Sequence, residues 1–239
     1  MPRHPTARRV HRPPAADDDA FVAGVLETTV WAKTHRRALI TGGVAVLTAA
    51  LLLVLFVRTR ASNREQAAQQ LTAVRQVALS GNNQLAIKDL EEYVGRFGGT
   101  APAAEARLLL ARAYLEEGQA QNAMETVRGQ ARDLDEVEGV NAAFLLAAAH
   151  EAAQQPEQAE QVYLRVADRA EYLFQKQEAL DNAARLRLEQ GNAPGAVQLY
   201  DRILTLTPES DGSRQVYELR AGEARAAAVS GPAATTTGN

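Results

Sequence analysis

Four alanines, Ala86, Ala123, Ala159 and Ala196, recur at spacings of 37, 36 and 37 residues. Each stands near the start of an apolar-periodic stretch. Four positions after them come Leu90, Val127, Tyr163 and Tyr200, and three further on Tyr93, Gln130, Val166 and Ile203. Twelve positions before them stand Val74, Ala111, Ala147 and Ala184, followed at three residues by Val77, Tyr114, His150 and Arg187. A Gly- or Gln-containing turn separates the two halves of each segment. A small residue where two helices cross lets their backbones close up, and larger residues one turn away fill the adjoining gap. One such hairpin cannot cover its own apolar face, so the segments must stack and stand or fall together. The expected fold is all-α: about four helical hairpins over residues 62–228, with a helix at 213–228 capping the stack.

A second constraint precedes the repeats. Residues Ala38 to Val57 (ALITGGVAVLTAALLLVLFV) hold twenty positions without a charge, bracketed by Lys33, Arg36 and Arg37 before and Arg58 and Arg60 after. At about 1.5 Å per residue, a helix of that length covers a hydrocarbon layer roughly 30 Å thick. The stretch is too long and too far from the N-terminus for a cleaved signal peptide, and no small-x-small cleavage site follows it. An uncleaved transmembrane anchor is expected. Residues 1–17 read as a disordered tail rich in Pro, Arg and Ala. Residues 18–37 read as a juxtamembrane amphipathic helix opened by Asp17, Asp18 and Asp19, and 229–239 as a second disordered tail. Residues 1–37 carry seven Lys/Arg against four Asp/Glu, a surplus of +3, whereas 58–239 carry nineteen against twenty-five, or −6. Long domains translocate largely regardless of charge, so the short basic tail predicts a cytoplasmic N-terminus and a periplasmic C-terminal domain.

The same inventory limits chemistry. There is no cysteine, hence no disulfide, thiolate metal site or thiol nucleophile. A mildly acidic domain is a poor match for nucleic acid. No phosphate loop, nucleophile elbow or calcium-loop spacing occurs, the acidic run Asp133, Asp135, Glu136 and Glu138 included. His150, at a repeat position held by Tyr114 in the preceding repeat, reads as a packed, hydrogen-bonded side chain. No enzymatic activity, cofactor or metal is expected.

The repeats resemble the tetratricopeptide repeat. The best single match is Leu110, Ala111 and Tyr114, then Gly118, Ala123 and Val127. The fourth repeat matches through Ala184, Gly191, Ala196, Tyr200, Ile203 and Pro208. The usual Trp of the first helix is absent throughout, and the closing Pro occurs only as Pro208. Inter-repeat turns such as 97–102 and 133–139 are expected to be lengthened. The whole layout, a basic tail, one anchor and a repeat domain of under 200 residues, resembles the YfgM-like family of inner-membrane proteins, ancillary subunits of the SecYEG translocon. That resemblance implies a periplasmic adaptor whose partners are translocon subunits, periplasmic chaperones or secreted clients. A scaffold of another envelope machine, such as cell division or envelope assembly, and a cytoplasm-facing adaptor are the alternatives. A homo-oligomer is a further possibility.

In tetratricopeptide stacks the first helices of successive hairpins line a concave groove. The matching residues are Leu71 and Arg75; Leu108, Arg112 and Leu115; Phe144, Ala148 and Glu151; and Asp181, Arg185 and Leu188. Arg75, Arg112 and Arg185 share one repeat position, so a row of arginines could receive carboxylates of a partner segment. On that reading, replacing Arg112 and Arg185 together should weaken partner capture.

Overall fold

The computed structural model describes residues 35–230. The tail 1–17, most of the amphipathic segment 18–37 and nearly all of the tail 229–239 lie outside the described residues. The chain divides into two units, residues 1–60 and 61–239. All regular structure among the described residues is helical.

Helix α1 spans Arg36–Leu79. Within the first unit its apolar side chains have no protein around them: Ile40, Val44, Val46, Leu47 and every residue from Leu51 to Val57 are more than half exposed. It is the one helix among the described residues long and apolar enough to cross a membrane. Thr41, Thr48 and Thr59 return their hydroxyls to carbonyls one turn back (3.0, 2.8 and 2.9 Å), which leaves no side-chain donor unpaired in an apolar stretch.

The second unit continues with α2 (Asn83–Phe97), α3 (Ala101–Glu116), α4 (Ala120–Val127), α5 (Val137–Ala152), α6 (Pro156–Arg169), α7 (Leu173–Glu189), α8 (Ala193–Leu206) and α9 (Arg214–Ser230). Each helix packs on its chain neighbour. The end of α1 pairs with α2, α3 with α4, α5 with α6 and α7 with α8, and α9 closes against α8.

The crossing alanines sit where the period puts them: Ala86, Ala123, Ala159 and Ala196, and on the partner helices Ala111, Ala147 and Ala184, are all fully buried. Leu90, Val127, Tyr163 and Tyr200 fill the gap one turn on. The buried residues form one continuous apolar core from Ala67 to Ala224.

The hairpin turns are also built alike. Gly81, Gly118 and Gly191 have φ of +79°, +71° and +75°, and at the equivalent place in the third repeat Gln154 has φ of +59°. In the last three repeats the same two hydrogen bonds close the helix. The N–H of Gly118, Gln154 and Gly191 reaches the carbonyl three residues back, and the next N–H reaches the carbonyl five back, at 2.7–3.0 Å. This is the Schellman arrangement, which requires the left-handed residue. The residue after the turn then starts the next helix. Asn82 and Asn192 accept from the N–H groups of Leu85 and Gly195 (3.1 and 3.0 Å). Pro102, Pro156 and Pro194 occupy first-turn positions, where no N–H is needed.

The second repeat breaks the pattern. Its second helix, α4, stops at Val127 after eight residues, against fourteen or fifteen in α2, α6 and α8, and passes into a short 3₁₀ turn at Gln130–Arg132. Just past this end, Gln130 occupies the position of Tyr93, Val166 and Ile203. A polar side chain there cannot join the apolar layer. Its Nε2 donates to the Ala104 carbonyl at 3.2 Å and its Oε1 is buried without a partner.

Candidate protein-binding groove

Helices α3, α5 and α7, the first members of their hairpins, line a cleft of about 590 Å³. Of the groove positions expected from sequence, Leu108, Arg112, Phe144 and Ala148 line it. The rest of the wall comes from residues outside the expected groove positions: Glu105 and Leu109 of α3, Val137, Asn141 and Leu145 of α5, Tyr163 of α6, and Phe174, Gln175, Glu178 and Asn182 of α7. Three of these were within reach of the sequence, since Glu105, Asn141 and Glu178 share a repeat position. Val137 and Phe174 lie in the first turn of their helices, ahead of the register in which groove positions were counted.

The remaining expected residues go elsewhere. Leu71 is only 7% exposed and belongs to the apolar core. Leu115 and Leu188 are half-buried and pack against that core. Asp181 is bound to Arg220 of α9. The row of three receptive arginines does not exist as such. Arg75 is ion-paired with Glu105 of the next repeat. Arg185 holds Glu151 at 2.7 Å and Glu189 at 2.8 Å. The reason is stacking: a long side chain on one first helix reaches the carboxylate of its neighbour before any outside partner can. Arg112 has no such carboxylate in the third repeat, where the position equivalent to Glu105 is the uncharged Asn141. Among the described residues Arg112 has neither a hydrogen bond nor an ion pair.

Tyr163 ties the groove floor to this network. Its Oη donates to Glu151 at 2.8 Å, and its ring meets Phe144 at 5.9 Å between centroids. Burial pushes the phenol well above its ordinary value of 10, and the Glu151 hydrogen bond and charge add to that against the opposing Arg185. Burial pulls Arg185 down, but hydrogen bonds and charge from Glu151 and Glu189 outweigh it, and the guanidinium is held more firmly charged than usual. On α7, Gln177 is buried and donates to Thr207 Oγ1 at 2.8 Å. His150 stands outside the groove and pairs through Nδ1 with Gln155 Oε1 at 2.8 Å.

Among the described residues no group of three His, Asp or Glu side chains is placed to hold a metal ion. The cleft offers apolar surface, three aromatic rings and a few polar groups, which is binding chemistry.

Residues 30–138 match a family described as "Tetratricopeptide repeat-like domain". Among solved structures, the nearly identical TPR-like repeats of a putative kinesin light chain from Podosopora anserina align with a TM-score of 0.56 and 22% identity, covering 70% of this chain and 89% of that one. A point variant of the same protein aligns with the same TM-score and identity over 88% of its length. No curated protein matches the sequence. At that identity the likeness is one of fold. The described repeats thus have a tetratricopeptide-like fold.

Proposed function

We propose that this protein is a single-pass inner-membrane adaptor with a cytoplasmic N-terminal tail and a periplasmic repeat domain. It binds proteins emerging at the SecYEG translocon and assists their transfer to periplasmic chaperones. The observation that carries the reading is the union of two surfaces in one chain. One is a helix whose apolar side chains stand exposed from Ile40 to Val57. The other is a repeat domain with an open, partly apolar cleft. The family match begins at residue 30 and so includes the apolar run with the first repeats, which supports treating anchor and repeats as one architecture. Tethering is the mechanism: an anchor confines the domain near a membrane partner and raises its effective concentration there.

Two measurements test it. A reporter active only outside the cytoplasm, fused after Asn239, should be active; activity of a cytosolic reporter instead would remove the periplasmic reading. Photo-crosslinkers placed at Leu108 and Phe144 in cells should capture translocon subunits, chaperones or secreted proteins. Crosslinks confined to division or envelope-assembly proteins would reassign the adaptor to another machine, and no crosslinks at all would remove the groove as a binding surface.

A further inference from the structure

The closing helix α9 buries Ala221 and Ala224 against the last hairpin and leaves an apolar stripe on its other side. At 3.6 residues per turn, Leu219 and Ala226 lie opposite those alanines, with Val216, Gly222 and Glu223 beside them. All five are exposed. Leu219 is 65% and Val216 49% exposed, and Val229 near the helix end 90%. The terminal element of a repeat stack ordinarily closes the core with a polar outer face. This outer face is apolar along its centre, and no described residue of the chain covers it.

Charge and shape both point to a second copy of the same helix. Glu218 and Arg225 flank the stripe on one side, and Arg220 and Glu223 on the other. Side by side in parallel, two copies of α9 would set each residue level with itself, glutamate against glutamate and arginine against arginine. Turned antiparallel about the midpoint between Ala221 and Gly222, Glu218 stands level with Arg225 of the other copy and Arg220 with Glu223. Both pairs share that one midpoint. In the same register Leu219 falls midway between Gly222 and Ala226 of the other copy, a large side chain entering the gap between two small residues. A Cβ added to Gly222 would meet nothing within 4 Å in the single chain, so the gap is open. A twofold contact demands such self-complementarity, because one patch supplies both sides.

The charges can serve it. Glu223 forms no ion pair among the described residues. Within the chain Arg220 holds Asp181, Arg225 holds Asp201 and Glu218 receives Arg214. Glu218, Arg220 and Arg225 still keep about half of their side-chain surface exposed. A carboxylate or a guanidinium has hydrogen-bonding capacity for a second partner.

We infer that two copies of this chain associate through α9, antiparallel about a twofold axis at Ala221 and Gly222. Leu219 of each copy packs between Gly222 and Ala226 of the other, and the Glu218–Arg225 and Arg220–Glu223 pairs fix the register. A single helix pair is small beside the roughly 1,200–2,000 Å² of a stable interface, so the association is weak and is best trapped covalently.

The sequence contains no cysteine, so an introduced one reports without background from others. The full chain is held in detergent micelles, oxidised mildly and resolved on a non-reducing gel. Gly222→Cys, beside the axis, should form a disulfide dimer well above the collision level set by Gln121→Cys on α4. Val216→Cys and Ala227→Cys should each stay monomeric alone and crosslink when mixed. In the antiparallel register each lies about 16 Å along the helix from its own copy, beyond the reach of a disulfide, but level with the other. Added to Gly222→Cys, Leu219→Asp should cut the dimer at least about fivefold, because its carboxylate would be buried without a partner. Leu219 is exposed in the single chain, so the unfolding midpoint should not fall. Glu223→Arg sets like charges level and should also lower the yield. No dimer of Gly222→Cys above the collision level, a dimer of Val216→Cys alone, or a yield that Leu219→Asp leaves unchanged would each overturn the inference. None of these readouts depends on translocon or chaperone binding, so this inference and the adaptor reading fail separately.

Discussion

Gln154 shows how much one backbone angle decides. It occupies the left-handed position that glycine holds in the other three repeats. A side chain there costs about 1–2 kcal/mol in the left-handed region, while glycine also raises the entropy of the unfolded chain. Gln154→Gly should therefore stabilise the domain, by about 0.5–1 kcal/mol, read as a higher denaturant midpoint with unchanged slope. The tyrosines give a second expectation at this scale. Burial, helped by the Glu91 hydrogen bond, pushes Tyr114 up to about 12, and burial, helped by the charge of Asp181, pushes Tyr200 up to about 12. The folded state thus holds these protons more tightly than the unfolded chain, whose phenols titrate near 10. Their contribution is complete below pH 10 and is lost as the pH rises through about 12. Stability followed against pH should be flat from 8 to 10 and fall above it, and a Tyr114→Phe, Tyr200→Phe double variant should show a shallower fall.

At the scale of elements, the second repeat is the informative one. Between the 3₁₀ turn and α5 the chain doubles back so closely that a Cβ on Gly139 would lie 1.5 Å from the Asp133 carbonyl oxygen. Backbone must move to admit it. Gly139→Ala should cost about 1–3 kcal/mol, the range for overpacking a close contact, measured by thermal or denaturant unfolding. Gly129→Ala meets nothing within 4 Å and serves as the control, with little loss or a slight gain. The break in this repeat was partly legible beforehand: Gln130 stands out in a column otherwise made of Tyr93, Val166 and Ile203. The shortening of α4 to eight residues was not, because helix length depends on whether the next helix can pack on the continuation.

For the whole repeat domain, order depends on closure at its C-terminal end. Helix α9 covers the last hairpin with Ala221 and Ala224, fully buried, and its Arg214 donates to the carbonyls of Leu204 (2.9 Å) and Thr207 (2.6 Å) at the end of α8. Removing residues 214–239 should uncover the apolar side of α8 and leave those carbonyls bare. Stacked repeats require such a cap, so the truncated chain should self-associate, seen as a shift in sedimentation velocity, and unfold at lower temperature. The sequence by itself determined the all-helical class, the number of hairpins, their register, the apolar run and the final helix. These follow from local spacing: 36–37 residues between crossing alanines, 3.6 per turn, glycine where φ must be positive. What only the tertiary structure decided is which polar groups remain available. Arg75, Arg112 and Arg185 are equivalent in sequence, yet two are spent on carboxylates of neighbouring helices, while Arg112 has no ion pair among the described residues. Gln175 and Gln177 differ by two residues, yet one is satisfied and the other faces the cleft. Pairing across a stack depends on what the adjacent repeat places within reach, and spacing along the chain carries no record of that distance.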